Sequence, residues 1–242
     1  MRRAKPRRPL QLEIVYSRRG GKRAGAGRKP RRPGATPHTA RPPLASRFPV
    51  HVSYSVADDI SSLRKPDLCS AIEGCLREVA RRARQAGGFR VVHYSIQRQH
   101  LHFIVEAKSR LALSRGLQGL SIRIAKRVNK LLGRSGAVFV DRYFERILRS
   151  PKQTRHCILY VLNNARRHAA QAGRVCPTGW VDPCSSGRYF DGWRERGSPH
   201  TGRDPPCSPP RTWLLHTGWR RHGLLPIDAT PGLHGRRGPY AR

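Results

Sequence analysis

The sequence predicts an α+β fold in which one antiparallel sheet is covered by helices on one face. Short segments alternate apolar and polar residues, as strands do, and the segments between them place apolar residues at helical spacing. The patterned region spans 47–172 of the 242 residues. Its segments follow the order strand, helix, strand, strand, helix, strand, helix, which leaves the second face of the sheet free for a partner.

The boundaries of these segments come from periodicity and from Pro and Gly. Pro66 and Pro151 suit the first turn of a helix, whereas Gly87 and Gly133 suit its end. Strands are predicted at 48–56, 89–97, 100–106 and 137–148, and helices at 66–86, 111–132 and 151–172. This order is that of a split βαβ, ferredoxin-like arrangement with one extra helix.

The two ends of the chain differ from the patterned region. Residues 1–46 form a basic arm that is expected to be disordered, since 1–48 hold 15 Lys or Arg and one acid. Residues 173–242 are rich in Gly, Pro, Trp and Arg and predict an irregular C-terminal extension. Its helix-like stretch carries Trp213, Leu214 and Trp219, which we expect to pack on the core in preference to stacking on bases.

The charge of the chain indicates its partner. Lys and Arg number 49 against 14 Asp and Glu, for a net charge of +35 and a pI near 11.7. Such an excess favours nucleic acid. A membrane is the weaker alternative, because no run of about 18 apolar residues occurs. With no apolar segment behind the basic N-terminus, a cytoplasmic location is expected.

None of the six cysteines belongs to a CxxC pair. Cys69, Cys75 and Cys157 lie in helical patterns and are expected to be small buried apolar residues. The other three, Cys176, Cys184 and Cys207, lie in the C-terminal extension with spacing that fits no zinc template. Free thiols in a reducing compartment are the simpler interpretation.

Two histidines and one tyrosine carry the chemical hypothesis. In His100-Leu101-His102, strand alternation projects both imidazoles from one face, where they could hold a metal ion in common. Tyr160 lies in the last helix, and Asn164 follows one turn later on the same face. A phenol beside an amide oxygen suits a nucleophile next to a hard cation. Each residue alone is more typical of an ordinary strand or core position, so the hypothesis depends on their combination.

Basic side chains near these motifs are candidates for DNA contacts. They lie along the second helix and around the fourth strand: Arg123, Lys126, Arg127, Lys130, Arg142, Arg146 and Arg149. Contacts of this kind position nucleic acid through its phosphates without reading its sequence. A solvated helix face is the equally plausible interpretation for each one singly.

The motifs together resemble a known family. The segments QRQHLHFIVE, DRYFERIL and YVLNNARRH are similar to the single-tyrosine, His-hydrophobic-His (HUH) transposases of the smallest insertion sequences, and among them to the REP-associated tyrosine transposases of bacteria. The resemblance covers about 47–172. The motifs in this order and at this separation are far more specific than any one alone.

The resemblance implies an activity and a site. It implies nicking and rejoining of single-stranded DNA hairpins through a 5′-phosphotyrosine, in transposition or in the processing of repeated palindromes. His100 and His102 match the metal-binding pair, Tyr160 the nucleophile, and Asn164 a polar position that completes the metal site. The family uses Mg²⁺ or Mn²⁺ without a nucleotide cofactor, and its members act as monomers or homodimers. Because the family is bacterial, the resemblance also implies a bacterial, nucleoid-associated protein.

Three other functions remain open at this point. A non-catalytic hairpin-binding protein derived from a transposase has the same charge and fold. A relaxase or replication initiator uses the same His-hydrophobic-His chemistry, but those enzymes usually have a larger domain or a third histidine. An RNA-binding or ribosome-associated protein explains only the charge.

Overall fold

The computed structural model describes residues 41–195 and 205–232, and the following elements are those of this part of the chain. The predicted disorder of the arm falls almost entirely on 1–40 and so lies outside the described residues. The elements are β1 (Val50–Ser55), α1 (Pro66–Ala86), β2 (Phe89–Ile96), β3 (His100–Ala107), α2 (Arg110–Leu132), β4 (Phe144–Ile147), α3 (Pro151–Leu162), α4 (Asn164–Gln171) and α5 (Trp213–His216), with 3₁₀ turns at Ser186–Tyr189 and Gly218–His222.

The four strands form one antiparallel sheet in the order β2-β3-β1-β4. β1 lies between β3 and β4, pairing Val52 with Phe103 on one side and with Glu145 on the other. This is the strand order of the ferredoxin-like arrangement, and the predicted α+β fold class is confirmed. Its consequence for the site is that β1 and β3, which are far apart in the chain, run side by side.

The first face of the sheet packs against α1 and α2. Alternate residues of the strands, such as Val52 and Phe103, join buried residues of both helices, such as Ile72 and Leu117, in one apolar core. α2 begins where Ser109 accepts a hydrogen bond from the Ala112 N–H at 3.2 Å, which caps the helix. Each buried leucine or phenylalanine of this layer contributes about 1.5–3 kcal/mol, so the layer fixes the sheet beneath the site.

The second face is not left free as expected. α3 packs on β2 and β3, and the described residues of 190–195 and 205–227 cover the same half with Phe190, Trp193, Trp219 and Leu225, forming a second apolar cluster. The β4 end stays open, where Phe144 is 51% exposed. The reason is that α3 and the C-terminal extension are amphipathic and bury their apolar sides on this face.

The predicted third helix is interrupted at Asn163. α3 ends at Leu162 and α4 starts at Asn164, since the backbone of Asn163 departs from helical angles (φ −101°, ψ 20°). The side-chain amide of Asn163 donates there to Ile227 O (3.1 Å) and Ala229 O (2.7 Å). The predicted fourth strand is also longer than the observed one. Only Phe144–Ile147 pairs continuously with β1, while Phe139 makes an isolated bridge to Val56.

The C-terminal extension is irregular, as predicted, and it is held by long-range polar contacts. Leu214 and Trp219 are buried as expected, whereas Trp213 is 48% exposed. Arg64 forms a bidentate pair with Asp182, at 2.7 and 2.9 Å. The extension is thus part of the folded domain over the residues that the structure describes.

The cysteines and the helix lengths were also subjects of prediction. The helical cysteines Cys69, Cys75 and Cys157 are buried, as predicted. No helix within the described ranges combines the length and the apolarity that crossing a membrane requires.

Candidate active site

Three imidazoles lie together on the second face of the sheet. His100 and His102 project from the same side of β3, with ring centres 6.3 Å apart. His51 of β1 stacks on His102, with ring centres 5.4 Å apart and planes 11° apart. Nδ1 of His102 lies 3.3 Å from Nε2 of His51, so one of the two nitrogens donates a hydrogen bond to the other.

Tyr160 faces this group from α3. Its ring centre is 5.4 Å from that of His102 and 5.9 Å from that of His51, with the planes nearly perpendicular in both pairs. The guanidinium carbon of Arg167 lies 5.5 Å from the centre of the Tyr160 ring. The structure therefore brings the predicted tyrosine and the predicted histidine pair together, although they are about 60 residues apart in the sequence.

Burial keeps these histidines neutral. Burial first, and then the neighbouring His51 and His100, hold the pKa of His102 well below its usual value. Burial and the nearby Arg146 lower the pKa of His51 to about 3. Burial also lowers the pKa of His100. Neutral imidazoles keep a lone pair for a metal ion, so near pH 7 this group has the protonation state of a ligand set.

Asn164, which was predicted to complete the metal site, lies in an unusual environment. Its side chain is fully buried, and neither Oδ1 nor Nδ2 has a hydrogen-bond partner among the residues that the structure describes. A buried amide left unpaired costs about 1–3 kcal/mol, which a bound ion or substrate would recover. Asn163, the weaker candidate of the two neighbouring asparagines, instead holds the C-terminal extension through its two hydrogen bonds.

The candidate ligands form a mixed set. Within 41–195 and 205–232, no group of three or more His, Cys, Asp or Glu side chains could hold a metal ion. The predicted ligands that remain are the two imidazoles of His100 and His102 and the buried amide of Asn164. Neutral imidazoles and an unpaired buried amide fit an ion that also takes oxygen ligands from water and phosphate.

The basic residues predicted to contact DNA divide between the two faces. Arg146 lies opposite His51 in the β1–β4 ladder and acts on it electrostatically, so it belongs to the site. Arg123 lies on the other side of the sheet, where it pairs with Glu78 of α1.

The remaining basic residues lie outside the imidazole group. Arg127 approaches Gly74 of α1, on the same side of the sheet as Arg123. Lys126, Lys130, Arg142 and Arg149 are exposed, the first two on α2 and the others beside β4.

Sequence reasoning missed His51 and Phe144. Both project from the face that carries His102, since Ser53 and His51 pair with Phe144 and Arg146 along β4 and with His102 and Ile104 along β3. The signal was present, because His51, Ser53 and Ser55 alternate with the apolar residues of β1. Assigning His51 to the site also requires knowing that β1 is the neighbour of β3.

Comparisons with known proteins find similar solved structures, and two of them are described as transposases. A REP-associated tyrosine transposase bound to a REP hairpin matches 62% of this chain and 82% of its own, at 15% identity and a TM-score of 0.43. A candidate transposase from Deinococcus radiodurans matches 58% of this chain and 98% of its own, at 13% identity and a TM-score of 0.35. No family model and no curated protein match the chain. At this level of similarity, the function has to be inferred from the residues of the site.

Proposed function

We propose that the protein is a metal-dependent enzyme that nicks and rejoins single-stranded DNA, with Tyr160 as its nucleophile. The observation that supports this most directly is the phenol ring of Tyr160 set against two buried, neutral imidazoles, His102 and His51. A phenol packed in a core would be enclosed by apolar side chains. This one packs against the second apolar cluster but is partly exposed and faces two imidazole rings.

His100, His102 and Asn164 would hold the divalent ion, Mg²⁺ or Mn²⁺. Bound there, the ion would withdraw charge from the non-bridging oxygens of the scissile phosphate and orient it. Two imidazoles favour Mn²⁺ over Mg²⁺, which prefers oxygen, so Asn164 Oδ1 and the phosphate matter more if Mg²⁺ is used.

His51 would act as a positioning residue for His102. If Nδ1–H of His102 donates to Nε2 of His51, the second nitrogen of His102 keeps its lone pair for the metal. A hydrogen bond of this kind fixes the tautomer and the ring orientation of a ligating histidine. The low pKa of His51, caused by burial and by Arg146, keeps it neutral and able to accept.

The reaction exchanges one phosphodiester for another. The Tyr160 oxygen would attack phosphorus, the bond to the 3′ oxygen would break, and that oxygen would leave as a 3′-OH after taking up a proton. The phenol would give up its proton to solvent as it attacks, which balances the proton that the leaving 3′ oxygen takes up. Arg167, beside the ring, would stabilise the phenolate. Because a 5′-phosphotyrosine retains the bond energy, a second 3′-OH could reverse the step without ATP.

A covalent-adduct assay tests this function. Purified protein, Mn²⁺ or Mg²⁺, and a single-stranded hairpin labelled on the 3′ side of the nick should give a labelled band that resists SDS. The band should need the metal and disappear in Tyr160→Phe, while DNA binding stays. Tyr189→Phe is the matched control, because Tyr189 lies in the C-terminal extension beside Arg188. Cleavage retained in Tyr160→Phe would refute the proposal.

Non-catalytic hairpin binding is the second candidate function. It is favoured by the finding that no three His, Cys, Asp or Glu side chains among the described residues are arranged to hold a metal ion. Tight, metal-independent binding to hairpins with no adduct across a panel of sequences would support it. Hairpin preference, a monomeric or dimeric state, and a place at the bacterial nucleoid stay predictions under either function.

A further inference from the structure

A cavity of about 600 Å³ adjoins the candidate active site. It lies between the β2–β3 turn, α4 and the part of the C-terminal extension around residues 174–180. His100 lines it together with His168 of α4, so its inner end borders the imidazole group. One wall of the cavity, at 174–180, lies beyond the 47–172 region, which carries the family resemblance, whereas the other lining residues lie within that region.

Hydrogen bonds hold these walls in place. Buried Arg166 donates from Nη2 to Pro177 O (2.8 Å), Trp180 O (2.9 Å) and the Asp228 carboxylate (2.6 Å). On the opposite side, the Arg64 guanidinium joins Ile96 O to Asp182. The cavity is therefore a fixed part of the fold, because Arg166 hydrogen-bonds its wall at 177–180 to α4.

The lining has the chemistry of a nucleotide site. Trp180 offers an aromatic ring, Gln97 and Gln99 offer amides, and Arg98 and Arg174 offer positive charge. Gln97 is 3% exposed, and its amide is held by a hydrogen bond to Ser95 Oγ at 2.7 Å. None of the described lining residues is acidic. Single-stranded DNA is bound by this combination of stacking rings, amides and cations.

We propose that this cavity binds the base of one nucleotide of single-stranded DNA next to the phosphate that Tyr160 attacks. The base stacks on Trp180, the amide of Gln99 contacts its edge, and Arg174 contacts a neighbouring phosphate. This inference rests on the proposed function for the position of the scissile phosphate. It makes Trp180 of the C-terminal extension the stacking platform for the base beside the nick, while the β2–β3 turn contacts the edge of that base.

An abasic scan tests the cavity without cleavage. In the full-length Tyr160→Phe protein, each nucleotide of the single-stranded flank of a hairpin is replaced in turn by an abasic site, and the dissociation constant is measured. One position should weaken binding roughly tenfold, the effect of losing one stacked base. The same position should lose this penalty when Trp180→Ala is added, and Trp180→Phe should restore most of it.

Trp213→Ala is the matched control, because Trp213 is exposed and does not line this cavity. It should keep the full abasic penalty. A photoreactive 5-iododeoxyuridine at the sensitive position should cross-link to the 174–180 peptide in mass spectrometry. An equal penalty with and without Trp180, or cross-links only elsewhere, would overturn the proposal.

The two proposals fail separately. A base site found in Tyr160→Phe protein, together with no covalent adduct from the unmodified protein, would leave the cavity in place and remove the nicking activity. A covalent adduct, together with equal binding of every abasic substrate, would support the nicking activity and remove the base site.

Discussion

Glu106 is a buried carboxylate that holds the C-terminal extension against β3. It is 4% exposed and accepts hydrogen bonds from the N–H groups of Arg211 (3.0 Å) and Thr212 (2.7 Å). It also lies 3.7 Å from Nε of Arg90, whose side chain is equally buried. We expect Glu106→Gln to lower the free energy of unfolding by about 3–5 kcal/mol.

The magnitude follows from two contributions. Hydrogen bonds to a charged group contribute about 1.5–3 kcal/mol each, and the neutral amide turns one of its acceptor oxygens into a donor that faces other donors. The substitution also leaves Arg90 buried without its counter-charge. Burial, and then Arg211, already lower the pKa of Arg90, so removing Glu106 leaves two guanidinium groups facing each other. These effects overlap, which keeps the total nearer 3–5 kcal/mol than their sum.

Urea unfolding followed by tryptophan fluorescence measures the effect, because Trp213 and Trp219 follow Thr212 closely. Glu78→Gln is the control, since Glu78 pairs with Arg82 and Arg123 at the surface and should contribute less than about 1 kcal/mol. A loss in Glu106→Gln no larger than in this control would refute the reasoning.

Three further predictions concern the site and its surroundings. His51→Phe should weaken Mn²⁺ affinity about tenfold or more in an electron paramagnetic resonance titration, and unchanged affinity would contradict its positioning role. Arg146→Ala should reduce the salt dependence of single-strand binding by about one unit of slope, whereas Arg123→Ala should leave it unchanged. Burial lowers the pKa of His93 to about 4, so the unfolded state binds the proton first as pH falls below 6.5. The stability lost between pH 7 and 5 should therefore be about 2 kcal/mol smaller in His93→Gln, by urea unfolding at both pH values.

Local periodicity was enough to predict most of the fold. β3 and α2 carry unbroken patterns, and their predicted bounds fall within a residue or two of the observed ones. The interruption at Asn163 was out of reach, because the local pattern does not show it, and its side chain binds carbonyl acceptors more than 60 residues further along the chain. β4 was predicted too long because the pattern of 137–148 does not show which residues find a partner in β1.

Only part of the candidate site, like part of the fold, could be predicted from the sequence. His100 and His102 form a local motif, and the pairing with Tyr160 follows once α3 lies over β3. His51 enters only through the β1–β3 register, which places its ring on His102. Trp180 enters through the contacts of Arg166, in a segment whose sequence pattern predicted no regular structure.

The basic residues predicted to contact DNA lie on both faces of the sheet, and this placement limits which part of the DNA each could contact. Lys126 and Lys130 lie on the exposed side of α2, so one helix layer and the sheet separate them from the imidazoles, roughly 20 Å in all. That distance exceeds the Debye length of about 8 Å at physiological salt, so they would not stabilise charge at the proposed scissile phosphate. If they contact DNA, they would contact a different part of it from the strand that the proposed site, with Arg146 and Tyr160, would hold. A hairpin offers two such parts, a duplex stem and a single-stranded flank, whereas a short unstructured strand offers one.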